Sequence, residues 1–361
     1  MDVKEKAKNL PASPGVYLML DSNRTIIYVG KSKALKNRVS SYFQNSKAHS
    51  PKVIKMVKNL KDFEYIVTDT EFEALLLECK LIREIKPAYN RLMKNTKAYC
   101  YIKINIMDKY PDIETCKKND KTDGNIYFGP YTSSNTVNRA IDGIKENCKI
   151  LCSSNLSKKP SACLNYYLKN CIGMCTADNL TDQYSAIITR IIALLKGEDN
   201  SILEEIIIKM NNASEKFDFE NATKYRDYIS AIKYVLNSAK PVKFTKENEN
   251  IAVMEHLTEN IVKFILLKGN NIIFSNKYDL NNASLEDLKD ELKKEILFNF
   301  SNNRKKTEIG IDEIDEMNIV FSYLKNESNN CKYEIISNET LNNETALYVS
   351  LEKLILDINK K

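Results

Sequence analysis

The sequence lacks any run of about twenty apolar residues, the length that a membrane-spanning helix needs. Its first residues, MDVKEKAKNLPASPG, also lack the apolar core of a signal peptide. We therefore expect a cytoplasmic protein with no membrane partner. Without an export signal, nine cysteines in 361 residues favour metal binding or free thiols over disulfides. A chain of this length is expected to form two or three domains, each with its own core.

Positive charge is unevenly distributed along the chain. The net charge is +6, yet residues 31–103 contain 16 Lys and Arg against 7 Asp and Glu, a balance of +9. A concentrated basic field favours a polyanionic substrate such as DNA. Charge alone leaves open the alternative of a lysine-rich solvated surface.

The stretch Gly15–Phe43 is predicted to fold as a β-hairpin followed by a helix. Turn-forming residues separate two strand-like segments, and apolar residues then repeat at helical spacing. If the hairpin is symmetric about its turn, Tyr17 and Tyr28 face each other on one side of the sheet. Strand tyrosines are usually packing residues, but here further groups accompany them. The groups predicted to converge, which suit the binding and attack of a phosphodiester, are Tyr17, Tyr28, Tyr42, Lys31 and Arg38.

Three short patterns in this stretch resemble the GIY-YIG nucleases. They are Gly15-Val16-Tyr17, then Tyr28-Val29-Gly30, then an arginine four residues before a tyrosine. More of the segment, PASPGVYLML and IIYVGKSKALKNRVSSYF, resembles the amino terminus of the UvrC family, the incision subunits of bacterial nucleotide excision repair. The resemblance implies a small α/β nuclease domain within a multi-domain protein of α/β and α class.

The segment from Thr70 to Lys86 is predicted to be a helix that begins at a capping box and stops before Pro87. Glu78 lies at the flank of its apolar stripe. A carboxylate beside apolar residues is costly unless it is paired or binds a metal, and a structural ion pair remains an alternative. The stripe predicted to be buried comprises Phe72, Leu75, Leu76, Cys79 and Ile82.

The resemblance implies a metal-binding role for Glu78 and an active-site role for Asn90, in the segment Pro87-Ala88-Tyr89-Asn90. The implied reaction is phosphodiester hydrolysis assisted by one Mg²⁺ or Mn²⁺. A two-metal site is not expected, because a single candidate carboxylate is present.

Roles follow for the remaining side chains. Tyr28 is the candidate general base, and Lys31 and Arg38 are expected to favour its phenolate. Arg38 is expected to pair with the scissile phosphate in bidentate fashion. Tyr17 would position the water or Tyr28, while Tyr42 and Asn90 would complete the wall of the site.

Four cysteines lie within 24 residues, spaced C-x10-C-x7-C-x3-C, with Cys148 just before them. This density favours a metal site over coincidence. The pattern resembles the cysteines through which some UvrC proteins hold a [4Fe–4S] cluster. Zinc is the alternative metal, and reduced buried thiols are the alternative without one. The four candidate ligands are Cys152, Cys163, Cys171 and Cys175.

Residues 203–237 are predicted to form two antiparallel helices joined around Lys216–Phe219. The pattern M-x-x-A-S-E-x-x-D-F-E-x-A-x-x-Y-R-D-x-I resembles the UVR motif, through which the UvrC family docks onto UvrB. A generic helical hairpin is the alternative. The residues implied to contact UvrB are Phe217, Phe219, Glu220, Tyr225 and Arg226.

The sequence predicts four parts: a nuclease domain at 1–100, a linker and Cys-rich metal-binding region at 101–200, the UVR hairpin at 201–238, and a small α+β region at 239–361. Neither the carboxylates of the family's RNase H-like nuclease nor its helix-hairpin-helix glycines are found. The resemblance therefore implies a shortened UvrC-like endonuclease that makes the 3′-side incision in damaged double-stranded DNA presented by UvrB, with UvrA upstream. A non-catalytic UvrB-binding adaptor and a UvrB-independent, structure-specific nuclease are the alternatives.

Overall fold

The chain forms two compact units, one made of Met1–Thr96 with Pro241–Lys361 and the other of Lys97–Lys240. The mixed α/β class predicted from the sequence is confirmed. Within the described residues, no helix is long and apolar enough to cross a membrane. The structure is a computed structural model that describes residues 2–44, 50–90, 99–107, 111–120, 122–151, 162, 164–174, 180–247, 250–281, 284–302, 313–326 and 328–359.

The amino-terminal part of the first unit is a three-stranded antiparallel sheet with helices on both faces. Its elements are α1 (Val3–Lys8), β1 (Gly15–Leu20), β2 (Ile26–Ser32), α2 (Leu35–Ser41), α3 (Pro51–Asn59), β3 (Asp62–Val67) and α4 (Glu71–Ile85). The strand order is β2–β1–β3. Side chains of a strand alternate between faces, so Tyr17 and Met19 pack towards α2 and α3, whereas Val16 and Leu18 pack on α4.

The second unit combines a small antiparallel sheet of order β5–β4–β6 with a group of helices. The predicted pair of helices joined around Lys216–Phe219 is confirmed, although the second helix continues through Pro241. The elements are β4 (Cys100–Ile104), β5 (Ile113–Cys116), β6 (Ile126–Tyr131), α5 (Ser134–Asn147), α6 (Leu164–Tyr167), α7 (Thr181–Lys196), α8 (Ser201–Glu215) and α9 (Phe219–Glu247).

The carboxyl-terminal part belongs to the first unit and is built on a four-stranded antiparallel sheet of order β10–β7–β8–β9. One face of this sheet packs on α10 and α13, and the other face packs on α11 and α4. The elements are β7 (Asn250–His256), β8 (Ile261–Lys268), β9 (Asn271–Asp279), α10 (Leu285–Asn302), α11 (Ile314–Lys325), β10 (Cys331–Ile335), α12 (Asn338–Asn342) and α13 (Glu344–Asn359).

Helix α4 is packed on two faces. Ala74 and Ile82 lie in the core with β1 and β2. Phe72 and Cys79 lie in a different core, which contains β7, β8 and α11. There the Phe72 ring stacks on Tyr323, with centroids 4.8 Å apart. The apolar stripe predicted for this helix therefore packs mainly against the carboxyl-terminal part.

Glu255 is a buried carboxylate in β7. One of its oxygens accepts a hydrogen bond from the Tyr323 hydroxyl at 2.8 Å, and the other oxygen has no partner among the described residues. Burial raises the pKa of Glu255 to about 6. The charges of Glu73 and Glu71 raise it as well, whereas the Tyr323 hydrogen bond and the charge of Lys33 lower it.

We expect Glu255→Gln to remove a pH dependence of stability. Because the folded-state pKa of about 6 exceeds the ordinary value of 4.5, Glu255 favours the folded state most below pH 4.5. That contribution is lost as pH rises through 6. The difference between the two pKa values corresponds to about 2 kcal/mol of stability. Urea unfolding measures this effect. From pH 4.5 to pH 7, the free energy of unfolding of Glu255→Gln should rise by up to about 2 kcal/mol relative to that of the unsubstituted protein.

Glu64→Gln is the matched control, because Glu64 is exposed on β3. Its free energy of unfolding should follow that of the unsubstituted protein at both pH values. Identical pH profiles for Glu255→Gln and the unsubstituted protein would contradict the prediction.

Candidate active site

Three tyrosines and an arginine predicted for the site lie together on one face of the first sheet. The hydroxyl oxygens of Tyr17 and Tyr42 are 2.8 Å apart, and the ring centroids of Tyr17 and Tyr28 are 6.2 Å apart. The Arg38 guanidinium lies over the Tyr42 ring, 5.1 Å from its centroid. The structure thus brings four of the predicted side chains into one cluster.

The strand register differs from the prediction. Tyr17 is opposite Gly30, and Tyr28 is opposite Met19, so the two tyrosines are diagonal neighbours. The predicted direct pairing is wrong for two reasons. Five residues, 21–25, separate the Leu20–Ile26 pair instead of the four that a Tyr17–Tyr28 pair requires, and the register shifts by one more residue between Met19 and Leu20. Gly30 has a steric role here, since a Cβ at this position would lie 2.4 Å from the Tyr17 hydroxyl oxygen. The glycine lets the Tyr17 ring lie across β2.

Glu78 is half-buried on α4 and faces the end of β2. Its Oε1 accepts a hydrogen bond from the Lys31 backbone N–H at 3.0 Å. Burial raises the pKa of Glu78, and this effect outweighs the hydrogen bond from Lys31 and the positive charges of Lys31 and Arg38. The carboxylate is therefore partly desolvated and oriented by the backbone of β2.

The Lys31 ammonium is engaged by Glu71, in the first turn of α4. Lys31 Nζ lies 2.6 Å from Glu71 Oε1, and Lys33 Nζ lies 2.8 Å from Oε2. Burial acts to raise the pKa of Glu71, but the hydrogen bonds and charges of the two lysines lower it below its ordinary value. Glu71 is not among the site residues predicted from the sequence, where its local signal is an acidic residue at a helix start.

The phenols of Tyr17 and Tyr28 are harder to ionise than an ordinary tyrosine. Burial is the largest effect on Tyr28 and raises its pKa well above the ordinary value. Tyr42 and Glu78 raise it as well, and Arg38 lowers it by less. Burial likewise raises the pKa of Tyr17. The predicted effect of Arg38 on the Tyr28 phenolate therefore has the expected direction, but burial outweighs it.

Asn90 is buried, and both the oxygen and the nitrogen of its side-chain amide bond to the backbone of β2. Its Oδ1 accepts from the Val29 N–H at 3.0 Å, and its Nδ2 donates to the Val29 carbonyl at 2.9 Å. These two bonds fasten the loop after α4 to the strand that carries Tyr28. Asn90 thus fixes the position of β2, and its predicted place in the wall of the site stays a prediction.

The Glu78 carboxylate is chemically suited to bind a hard divalent cation. One carboxylate oxygen, Oε1, is held by the Lys31 backbone N–H. Mg²⁺ is commonly bound through one or two carboxylates and keeps several waters. The described residues contain no group of three or more His, Cys, Asp or Glu that could hold a metal ion.

The predicted cysteine site lies mostly outside the described residues. The residues outside are Cys152, Cys163 and Cys175. Cys171 is buried, and its backbone forms an isolated antiparallel β-bridge with that of Ile150. Burial raises the pKa of the nearby Cys148 to about 11. The [4Fe–4S] or zinc site stays a prediction.

The turn of the helical hairpin presents two exposed phenylalanines. Phe217 is 78% exposed and Phe219 is 64% exposed, and their ring centroids lie 6.1 Å apart. Glu220 and Arg226 are also exposed, whereas Tyr225 is half-buried against the core of the second unit. Four of the five predicted docking residues therefore lie on the surface.

Comparisons with known families match three consecutive segments. Residues 13–91 match the UvrC-like GIY-YIG domain, residues 99–194 match the middle domain of UvrC/Cho excinucleases, and residues 200–235 match the UvrB/uvrC motif. The UvrABC system protein C of Alkaliphilus oremlandii is 40% identical over 306 residues, which cover 83% of this chain and 48% of that protein. The protein of the same name from Clostridium tetani is 40% identical over 79% of this chain and 46% of its own.

Among solved structures, the chain is similar to the GIY-YIG amino-terminal endonuclease domain of UvrC from Thermotoga maritima, bound to its catalytic divalent cation magnesium. The identity is 35%, the coverage is 25% of this chain and 96% of that domain, and the TM-score is 0.23. The chain spans about half the length of the curated relatives it matches.

We expect Asn90→Ala to destabilise the first unit by about 2–4 kcal/mol, because it leaves the buried N–H and carbonyl of Val29 unpaired. Urea unfolding followed by circular dichroism measures this loss. Asn59→Ala is the control, since the Asn59 amide donates to the Tyr89 hydroxyl at an exposed position and its loss should cost less than about 0.5 kcal/mol. Equal stability of the two variants would show that Asn90 does not fasten β2.

Proposed function

Because this chain belongs to the UvrC family, as its motifs predicted, we propose that it is a metal-dependent DNA endonuclease of nucleotide excision repair. Its reaction is phosphodiester hydrolysis on the 3′ side of a lesion that UvrB presents. The observation that carries the proposal is the Glu78 carboxylate, held by the backbone of β2 beside a cluster of Tyr17, Tyr28, Arg38 and Tyr42.

The cluster offers distinct groups for a phosphate and a water. Arg38, seated over the Tyr42 ring, binds the scissile phosphate through its planar fork. The hydrogen bond between Tyr17 and Tyr42 fixes both hydroxyls next to it. Tyr28 receives the proton of the attacking water, which requires that its phenol first lose its own. The charge of Arg38 favours that ionised state.

Glu78 is the residue that would hold the cation, Mg²⁺ or Mn²⁺. When bound, such an ion supplies polarisation of the phosphoryl oxygen and stabilisation of the leaving oxygen. The Lys31 N–H orients the carboxylate for this task, and Glu71 keeps the Lys31 ammonium paired at the edge of the site. Asn90 contributes by holding β2 in place.

Recruitment is proposed to proceed through the turn of the helical hairpin. Two phenylalanines at a turn with no core to fill favour a contact with another protein, here UvrB. Phe217 adopts φ of +58°, a left-handed conformation rare for a bulky residue. Basic residues bind the DNA backbone but carry no lesion specificity, so the choice of lesion is assigned to UvrB.

We keep the four-part division at 1–100, 101–200, 201–238 and 239–361 as a proposal. The cysteine-rich region is proposed to hold a [4Fe–4S] cluster, with zinc as the alternative. Iron and zinc analysis of protein purified without oxygen distinguishes the two. The adaptor alternative is less favoured, because an adaptor has no need of the assembled cluster around Glu78.

We expect Tyr28→Phe and Glu78→Gln each to lower the nicking rate by a factor on the order of 10²–10⁴ while DNA binding survives. Binding survives because it depends on Lys and Arg contacts to phosphates. The measurement is nicking of an end-labelled lesion duplex with UvrA and UvrB, alongside a mobility-shift assay. Tyr348→Phe in α13 is the control and should retain the full rate. Full activity of either first variant would remove that residue from the site.

On a UvrB–lesion complex we expect a single nick 3′ to the damage, because the sequence offers one candidate nuclease site. Replacing Phe217 and Phe219 with alanine should suppress this nick and spare weak, salt-sensitive cutting of free DNA. Phe298→Ala is the control, since Phe298 is also exposed, at 67%, but lies on α10. Two incisions flanking the lesion would contradict the single nuclease site. Undiminished lesion cutting by the double variant would contradict the docking role of the two phenylalanines. Equal cutting with and without UvrB would favour the UvrB-independent nuclease.

A further inference from the structure

Lys263 is a buried lysine in β8, with a side chain only 6% exposed. Its Nζ lies 2.7 Å from Asp69 Oδ2 and 3.4 Å from Glu73 Oε1. Removing one partner of a buried ion pair leaves an uncompensated charge, so this contact is hard to break. The lysine therefore ties the carboxyl-terminal sheet to the residues that start α4.

Glu73 is held on both of its oxygens. Its Oε2 accepts the backbone N–H groups of Asp69 and Thr70, each at 3.1 Å, which completes the capping box. Its Oε1 accepts from the Ser275 hydroxyl at 2.7 Å, in addition to lying near Lys263. The first turn of α4 is thus fastened both to its own chain and to β8 and β9.

The same helix carries the two carboxylates that face β2. Glu71 pairs with Lys31 and Lys33, and Glu78, about two turns further on, accepts the Lys31 N–H. A helix moves nearly as a rigid body, so a shift of its first turn changes where the Glu78 carboxylate lies relative to β2. The position of Glu78 is therefore coupled to the contacts at Glu73.

Two further contacts hold the other face of α4 to the carboxyl-terminal part. Phe72 stacks on Tyr323, and Arg83 pairs with Glu316, both partners being on α11. Together with Lys263, these contacts restrain the start, one side and the last turn of the helix. The carboxyl-terminal part is thus packed along the element that presents the candidate cation ligand.

We propose that residues 241–361 position the Glu78 carboxylate by clamping α4, and that Lys263 is the positioning residue of this clamp. The inference rests on the proposed function, in which Glu78 binds the divalent cation. It assigns to the carboxyl-terminal part a role in the proposed 3′-side incision that requires no catalytic group of its own.

The test compares Lys263→Met with Lys277→Met in the full chain. Lys277 is the matched control, because its Nζ pairs with the same carboxylate, 2.8 Å from Asp69 Oδ1. Its side chain, unlike that of Lys263, is 53% exposed. Mn²⁺ affinity is measured from the paramagnetic resonance of the unbound ion, and hydrogen exchange of α4 is measured without any divalent cation. We expect Lys263→Met to speed exchange of α4 and to lower Mn²⁺ affinity by up to about tenfold, the low end of the loss seen when a group bonded to the metal ligand itself is removed. The control should stay within about twofold, as an exposed pair contributes little.

Further variants separate positioning from general destabilisation. Lys263→Arg retains the charge and should restore most of the Mn²⁺ affinity. If Lys263→Met does not fold, Ser275→Ala, which removes a single hydrogen bond to Glu73, should still weaken Mn²⁺ binding by a few-fold. Glu78→Gln should abolish the binding.

The outcomes distinguish the two proposals. If Glu78→Gln abolishes Mn²⁺ binding while Lys263→Met and Ser275→Ala bind like the unsubstituted protein, the positioning role is overturned and the proposed function stands. If Glu78→Gln binds Mn²⁺ normally, the cation assignment fails and the inference fails with it. Unchanged exchange of α4 in Lys263→Met would also overturn the clamp.

Discussion

Helix α4 is packed between two sheets, and the geometry of the site depends on this double packing. Ala74 and Ile82 press one face onto β1 and β2, while Phe72 and Cys79 press another onto β7, β8 and α11. Close-packed interiors leave little room for a helix to slide or rotate. A carboxylate on such a helix, Glu78, is held at a fixed place even though it is only half-buried.

Burial and charge compete within a small volume of the first unit, and the outcome differs from residue to residue. At Glu71 two ammonium groups within 3 Å overcome burial, and the pKa of the carboxyl falls. At Tyr28 one guanidinium is opposed by burial and by the negative charge of Glu78, and the pKa of the phenol rises. Proximity of a cation therefore does not by itself activate a tyrosine. The number and distance of the cations decide the sign.

The second unit contains both a buried apolar core and an exposed aromatic turn. Its helices bury a continuous apolar core, with Ile202, Ile206 and Ile232 almost fully enclosed. The turn between α8 and α9 instead leaves Phe217 and Phe219 in solvent, which packing within the unit cannot explain. The exposed aromatic pair lies within residues 200–235, which match the UvrB/uvrC motif, and this is the basis of the proposed recruitment.

The sequence by itself determined the local structure: the hairpin, the capping box at Thr70, the helix that carries Glu78, and the pair of helices joined near Phe217. Periodicity and capping act over a few residues, so a short window of sequence contains them. It also indicated the cluster of Tyr17, Tyr28, Arg38 and Tyr42, because their spacing sets which face each side chain occupies.

Only the tertiary structure decided the strand register, the phenol pKa values, and the partners of Glu71 and Asn90. It also decided that the stripe of α4 packs on residues far along the chain, where Lys263 meets Asp69 across 194 positions. No local pattern encodes such a contact, because its partner is chosen by the packing of two distant segments. Burial follows from the same packing, and burial together with nearby charges sets the pKa values of Glu71 and Tyr28.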